Sequence, residues 1–360
     1  MLKIVYGGGK YYHFDSEQGY SFEHSNIYDS LRRIPNVEVI YFEYDQVKQI
    51  GKERLNLELV ELVKKEKPDI FLSLMYYEDL TLETLDQLRD LTLTLGFFVD
   101  DHWHFDNSSK IAAPHLSWIA TTYSPAVEWY KKLGCQNVIR THLGANHKLF
   151  KPKFEIRNSK LEINSTDVGF VGAWYVNRER VIDCLQKAGI KVAVWGPDWP
   201  NGRLADDLML SVVHQTKINI DINPPSSHIG LKPLARIFFK ITADGIRLDF
   251  NNFFNNIREW RQKRTPMIKP RTFNCLAAKS FIITQMTHDL SEFYEIGKEI
   301  VAYNSVDELI DKIRYYLTHD DEREKIAAAG YARTLRDHTY EKRFNDIFRT
   351  IGLADKVREE

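Results

Sequence analysis

Strand-length apolar runs alternate with helix-length amphipathic segments along almost the whole chain, which restricts it to α/β folds built on parallel sheets. The first half reads as strands at Leu2–Tyr6, Val37–Tyr41, Ile70–Leu74, Leu95–Val99, Trp118–Thr121 and Val138–Thr141. Helices are expected between them near Ser25–Arg33, Leu55–Lys65, Leu82–Leu91 and Pro125–Leu133. Residues 151–166 are polar and aperiodic, as a linker is. The alternation then restarts, with strands at Asp167–Val171, Lys191–Trp195, Ser280–Thr284 and Ile300–Tyr303 and a helix at Arg178–Ala188. This predicts a Rossmann-like domain over 1–152 and another over 165–338.

At 360 residues the chain has room for two such cores. A net charge of −1 gives no overall pull toward nucleic acid. No apolar run nears the ~20 residues that span a bilayer, and the L-K-I-V-Y run after Met1 is strand-like rather than a signal peptide. Cys135, Cys184 and Cys275 are far apart, which points to a cytoplasmic protein without disulfides or a thiolate metal site.

Several segments carry residues suited to chemistry. Lys269 and Arg271 read as a cationic loop ahead of a short helix, where cations and unpaired first-turn amides suit an anionic ligand. Gly172 and Gly196 each end a strand, where small residues admit a ligand, and Arg178 lies six residues after Gly172. Trp199 either stacks on a ligand or packs on its own domain. Gly7-Gly8-Gly9 follows the first strand, either as a plain turn or as a loop bordering a cleft, with His13 and His24 just beyond.

The run Asp100-Asp101-His102-Trp103-His104-Phe105-Asp106 follows the fourth strand, where ligands of parallel sheets gather. Three readings stay open. An aspartate binds acceptor hydroxyls or acts as general base, with His102 beside it. An extended segment would instead put Asp100, His102, His104 and Asp106 on one face as metal ligands. In the third reading the aspartates cap a turn.

The blocks D-V-G-F-V-G…R-E-R-V-I…V-A-V-W-G-P-D-W and M-I-K-P-R-T-F-N-C-L-A-A-K-S-F-I-I-T…D-H-T-Y-E-K-R-F resemble the C-terminal half of a GT-B glycosyltransferase. More narrowly, the chain resembles the CgeB-like (spore-maturation) family. That resemblance implies two Rossmann-like domains facing across a cleft, with residues 339–360 forming a helix that packs back on the N-terminal domain. It implies a sugar-nucleotide-dependent transferase with no cofactor and no metal. The donor would be a UDP- or GDP-linked sugar, held by Gly172, Arg178, Gly196, Lys269, Arg271, Asn274 and Glu292. The acceptor, a carbohydrate or lipid-linked alcohol, would meet Gly8, Gly9, His13 and the catalytic candidates Asp100, Asp101 and His102. Asn274 stands where many relatives have glutamate, and Lys279 where they have glycine. A non-catalytic sugar-nucleotide-binding module is therefore the alternative, and a sugar-nucleotide epimerase a third.

Residues 223–266 form an insert relative to this pattern. Lys232, Arg236 and Lys240 recur every four residues opposite Leu234, Ile237, Phe238 and Ile241, as on a basic amphipathic helix. Such a helix suits a packed surface, a lid, a homodimer contact or a peripheral contact at the inner face of a membrane.

Overall fold

A computed structural model describes residues 1–75, 80–152, 166–223, 235, 237–242, 245–262 and 265–357. The chain divides into two compact units, Met1–Leu143 with Tyr340–Glu360, and Gly144–Thr339. The linker expected at 151–166 falls mostly outside the described residues.

The first unit holds a six-stranded parallel sheet: β1 (Leu2–Gly8), β2 (Val37–Glu43), β3 (Ile70–Leu74), β4 (Leu93–Phe98), β5 (Trp118–Thr121) and β6 (Val138–Arg140). The strand order is β2-β1-β3-β4-β5-β6. Alternation along β1 sorts its side chains into two layers. Leu2, Ile4 and Tyr6 pack with Ile27, Leu31, Phe344 and Phe348, while Val5 faces Leu55, Leu59 and Val63. The helix Tyr340–Thr350 belongs to this unit because Tyr340, Phe344, Ile347 and Phe348 make one apolar stripe, all buried. Burying each such phenylalanine is worth about 1.5–3 kcal/mol.

The second unit holds a five-stranded parallel sheet: β7 (Thr166–Val171), β8 (Val192–Trp195), β9 (Thr216–Asp221), β12 (Ile282–Gln285) and β13 (Val301–Tyr303), in the order β13-β12-β9-β7-β8. The central strand, β9, is absent from the sequence reading above. One layer joins Val168 and Phe170 to Ile182, Leu185, Leu309 and Ile313; the other joins Phe273, Leu276, Ile282 and Tyr294.

The insert differs from its expected helix. Ala235, Ile237 and Phe238 are helical, but Lys240 and Ile241 lie in β10 (Phe239–Thr242), which pairs antiparallel with β11 (Gly245–Leu248). Lys232, Leu234 and Arg236 lie outside the described residues. A helix, Phe253–Gln262, follows the hairpin.

Candidate functional site

β7, β9 and β12 of the second unit end side by side, and a buried carboxylate at the end of β9 gathers arginines from two helices. Asp221 closes β9 and is fully buried. Its carboxylate accepts from Thr272 Oγ1 at 2.7 Å, Asn223 Nδ2 at 3.0 Å, Thr284 Oγ1 at 3.4 Å and, closest, Arg271 Nη1. Arg178 is buried and donates from Nε to the Ile222 carbonyl at 3.0 Å and from Nη1 to the Ala173 carbonyl at 2.7 Å. Both guanidinium groups lie by the Phe170 ring, 5.3 Å from its centroid for Arg178 and 4.7 Å for Arg271. Burial, then the neighbouring Arg271 charge, pull the Arg178 pKa down to about 10. Among the described residues, two arginines against one aspartate leave this cluster short of one anion.

Lys269 and Arg271 reach the site through one helix, Pro270–Ala277. Lys269 caps its start with extended backbone, Pro270 needs no amide partner in the first turn, and Arg271 sits inside the helix rather than ahead of it. Lys269 pairs with no carboxylate among the described residues. Its charge adds to the excess at the helix N-terminus.

The two glycines shape the same spot. A Cβ on Gly172 would land on the Arg271 guanidinium. Gly196 has a φ of 138°, and a Cβ there would strike the Gly172 backbone. Trp199 is buried and donates from Nε1 to the Gly172 carbonyl at 2.8 Å, so it braces this turn from within. The structure therefore brings Gly172, Arg178, Gly196 and Arg271 together, with Lys269 at the start of the same helix.

Asn274 is buried, and its Oδ1 accepts the Asn146 amide at 3.3 Å. Its side-chain carbonyl thus ties down the turn at Asn146. Glu292 is exposed on the short helix Leu290–Phe293 that follows β12. Asp221, Thr272 and Thr284 escaped the sequence reading. The signal was the run I-N-I-D-I-N, a carboxylate closing an apolar strand.

In the first unit the three catalytic candidates part ways. Asp101 is fully buried, with Oδ2 accepting from Thr121 Oγ1 at 2.5 Å and both oxygens accepting from Tyr130 Oη at 2.9 Å. These contacts make it part of the core and put it out of a substrate's reach, which corrects its assignment as a catalytic base. Asp100 keeps partial exposure, 22% of its side chain, and its carbonyl accepts the Trp103 and His104 amides. His102 is buried, with Nδ1 4.0 Å from Asp100 Oδ1. The premise of the metal reading also fails, because Asp101–His104 is helical and residues up to Ser109 continue the helical winding.

Burial raises the Asp101 carboxyl above its ordinary range, against the pull of Ser109, Thr121 and Tyr130. A carboxyl raised by folding stabilises the fold fully below its ordinary pKa, and that contribution is lost as pH rises through the raised value. The stability of wild type relative to Asp101→Asn should therefore fall as pH rises over the range that opens at about pH 4, the ordinary aspartate value. Denaturant melts of both proteins across that range check this; a difference independent of pH contradicts it.

The glycine run differs from its expected turn. Gly7 and Gly8 lie within β1, opposite Phe42 and Glu43. A Cβ on Gly8 would crowd the Tyr6 ring, at 3.2 Å, and one on Gly9 the Phe14 ring, at 2.8 Å, so these glycines seat aromatic rings. His13 is exposed at a φ of 54°, and its carbonyl accepts from Lys48 Nζ at 2.9 Å. His24 instead enters a ladder of rings. It stacks on Tyr20 at 4.4 Å and lies 5.2 Å from Tyr28, which stacks on Tyr41 at 4.4 Å.

Residues 178–349 match the model of the family described as "Glycosyl transferase-like". The spore protein CgeB of Bacillus subtilis (strain 168) is 24% identical over 233 residues, which cover 62% of this chain and 64% of that protein. The match thus spans a little under two thirds of that relative. Among solved structures, a sucrose-phosphate synthase from Thermosynechococcus elongatus superposes with a TM-score of 0.60 at 10% identity, covering 98% of this chain and 100% of that one. Anabaena HepE, solved with UDP and glucose, gives a TM-score of 0.58 at 9% identity, covering 98% and 100%. At such low identity these likenesses carry the fold alone. The chain is accordingly similar to CgeB in sequence, carries a glycosyl transferase-like segment over residues 178–349, and takes the two-domain α/β GT-B fold.

Proposed function

We propose that this protein moves a sugar from a nucleotide-diphosphate sugar to an acceptor hydroxyl. The observation that carries the reading is the buried cluster at the ends of β7 and β9, where Arg178 and Arg271 outnumber Asp221. A diphosphate supplies the missing negative charge. Arg271 retains 19% exposure of its side chain and offers further donors to it, while Arg178 is spent largely on carbonyls and holds the cluster in place. As the glycosyl bond breaks, charge grows on the leaving diphosphate, and preorganised cations favour that state. The structures of HepE with UDP and with UDP-glucose make a UDP-linked donor the first to try.

The acceptor side belongs to the first unit in this reading. Asp100, partly exposed at the end of β4 with His102 beside it, replaces Asp101 as the candidate base. The His24 ladder presents ring faces suited to sugar C–H groups. Among the described residues no helix is long and apolar enough to cross a membrane. A cytoplasmic enzyme acting on a carbohydrate or lipid-linked alcohol is consistent with that.

Assaying UDP- and GDP-sugars for binding, then for hydrolysis and transfer with mixed glycan acceptors, tests the proposal. Binding with slow hydrolysis, accelerated by an acceptor, is the expected outcome. Tight binding without turnover in any mixture would favour the non-catalytic module. Epimerised donor in the absence of acceptor would point to an isomerase. The Asp100→Asn variant should keep donor affinity and lose about 100-fold in turnover. Unchanged turnover would remove Asp100 from the site.

A further inference from the structure

The insert of the second unit leaves large apolar side chains in the open. Phe254 is 84% exposed, Leu248 63%, Phe250 62%, Phe239 41% and Phe238 38%. Phe238, Phe250 and Phe254 join into one patch through Phe253, since Phe238 lies 6.1 Å from Phe250 and 5.5 Å from Phe253, which lies 5.5 Å from Phe254, all ring centroid to centroid. The patch is built. The Asp249 amide donates to the Phe238 carbonyl at 2.8 Å, and Asn256 Nδ2 donates to the Ile237 carbonyl at 3.1 Å and to Asp249 Oδ2 at 3.2 Å. These bonds tie the helix Phe253–Gln262 to the hairpin.

Charge accompanies the rings. Arg258 and Arg261 follow Phe254 by four and seven residues, on one face of that helix, and all three are exposed. Residues 223–266 hold eight Lys and Arg against three Asp and Glu, in a chain whose net charge is −1, so the remainder is acidic. A second copy of the chain would bring the same positive segment against this one. An anionic lipid surface meets both features. Phenyl rings enter the boundary between headgroups and acyl chains, and the arginines remain at the phosphates.

We infer that the tip formed by Phe250, Phe254 and Arg261 docks the second unit on an anionic bilayer surface. The inference differs from the amphipathic helix expected around 232–241 in both place and structure. It is independent of the donor reading, since none of these side chains takes part in the arginine cluster.

Sedimentation with vesicles tests it, using phosphatidylcholine alone and phosphatidylcholine with roughly 30% phosphatidylglycerol. The wild type should pellet with the anionic vesicles and stay in solution with the neutral ones. Phe250→Ser/Phe254→Ser should weaken partitioning by about tenfold or more, and Arg261→Glu should weaken it in the anionic case. Both variants should melt at the wild-type temperature and keep UDP affinity, because the altered side chains are exposed. Wild type remaining in the supernatant, or the double variant pelleting as well as wild type, would overturn the inference. So would wild type sedimenting without lipid as an oligomer that the double variant dissolves, because the patch would then be a protein interface.

Discussion

Arg271→Ala is expected to weaken binding of a nucleoside diphosphate by about 1.5–3 kcal/mol, roughly ten- to a hundredfold. The same substitution should cost about 3–5 kcal/mol of stability, because it strips the buried Asp221 carboxylate of its cation. The two losses separate in a second variant. Arg271→Ala/Asp221→Asn removes both charges, and the amide can still accept from Thr272 and Thr284. It should regain most of the stability while affinity stays low. Calorimetric titration with UDP and denaturant melts of the two variants check this. Recovery of affinity together with stability would mean that Arg271 serves the fold and not the ligand.

The second large effect is at the paired glycines. Gly196→Ala should destabilise the second unit by about 2–4 kcal/mol, since it combines an unfavourable φ with a collision against the Gly172 backbone. Gly172→Ala meets a guanidinium instead, the movable end of a long side chain. It should leave the fold largely intact and lower UDP affinity about tenfold by displacing Arg271. Thermal melts and titrations of both variants decide the matter. Equal destabilisation by the two, or undisturbed affinity in a folded Gly172→Ala, contradicts the packing described.

Much of the fold was legible because period and composition agree with it. Ile70–Leu74, Leu82–Leu91 and Trp118–Thr121 have the bounds that their apolar pattern implies. What the pattern hides is burial. Asp101 looks like a reactive carboxylate at the end of a strand, and only the approach of Thr121 and Tyr130, twenty and twenty-nine residues away, makes it part of the core. Asp221 is the opposite case. Its strand is hidden because the helix Asp206–Gln215 runs into it at Thr216 with no glycine or proline between, although the carboxylate organises the arginines. The insert misled through a cation every fourth residue, whereas I-F-F-K-I-T followed by A-D-G carries the β-branched and aromatic content of a hairpin. The arginines were identifiable as cations near helix starts. That Arg178 would be consumed by the Ile222 and Ala173 carbonyls, leaving Arg271 the more accessible, depends on packing the sequence does not display.

The central claim is that the surplus positive charge at the ends of β7 and β9 grips a diphosphate. Titrating UDP and uridine, in parallel, into wild type and into Arg271→Ala/Asp221→Asn tests it most directly. Wild type should bind UDP at least about tenfold more tightly than uridine, and that gap should narrow sharply in the folded double variant. A gap of the same size in both proteins would place the phosphates elsewhere and contradict the claim.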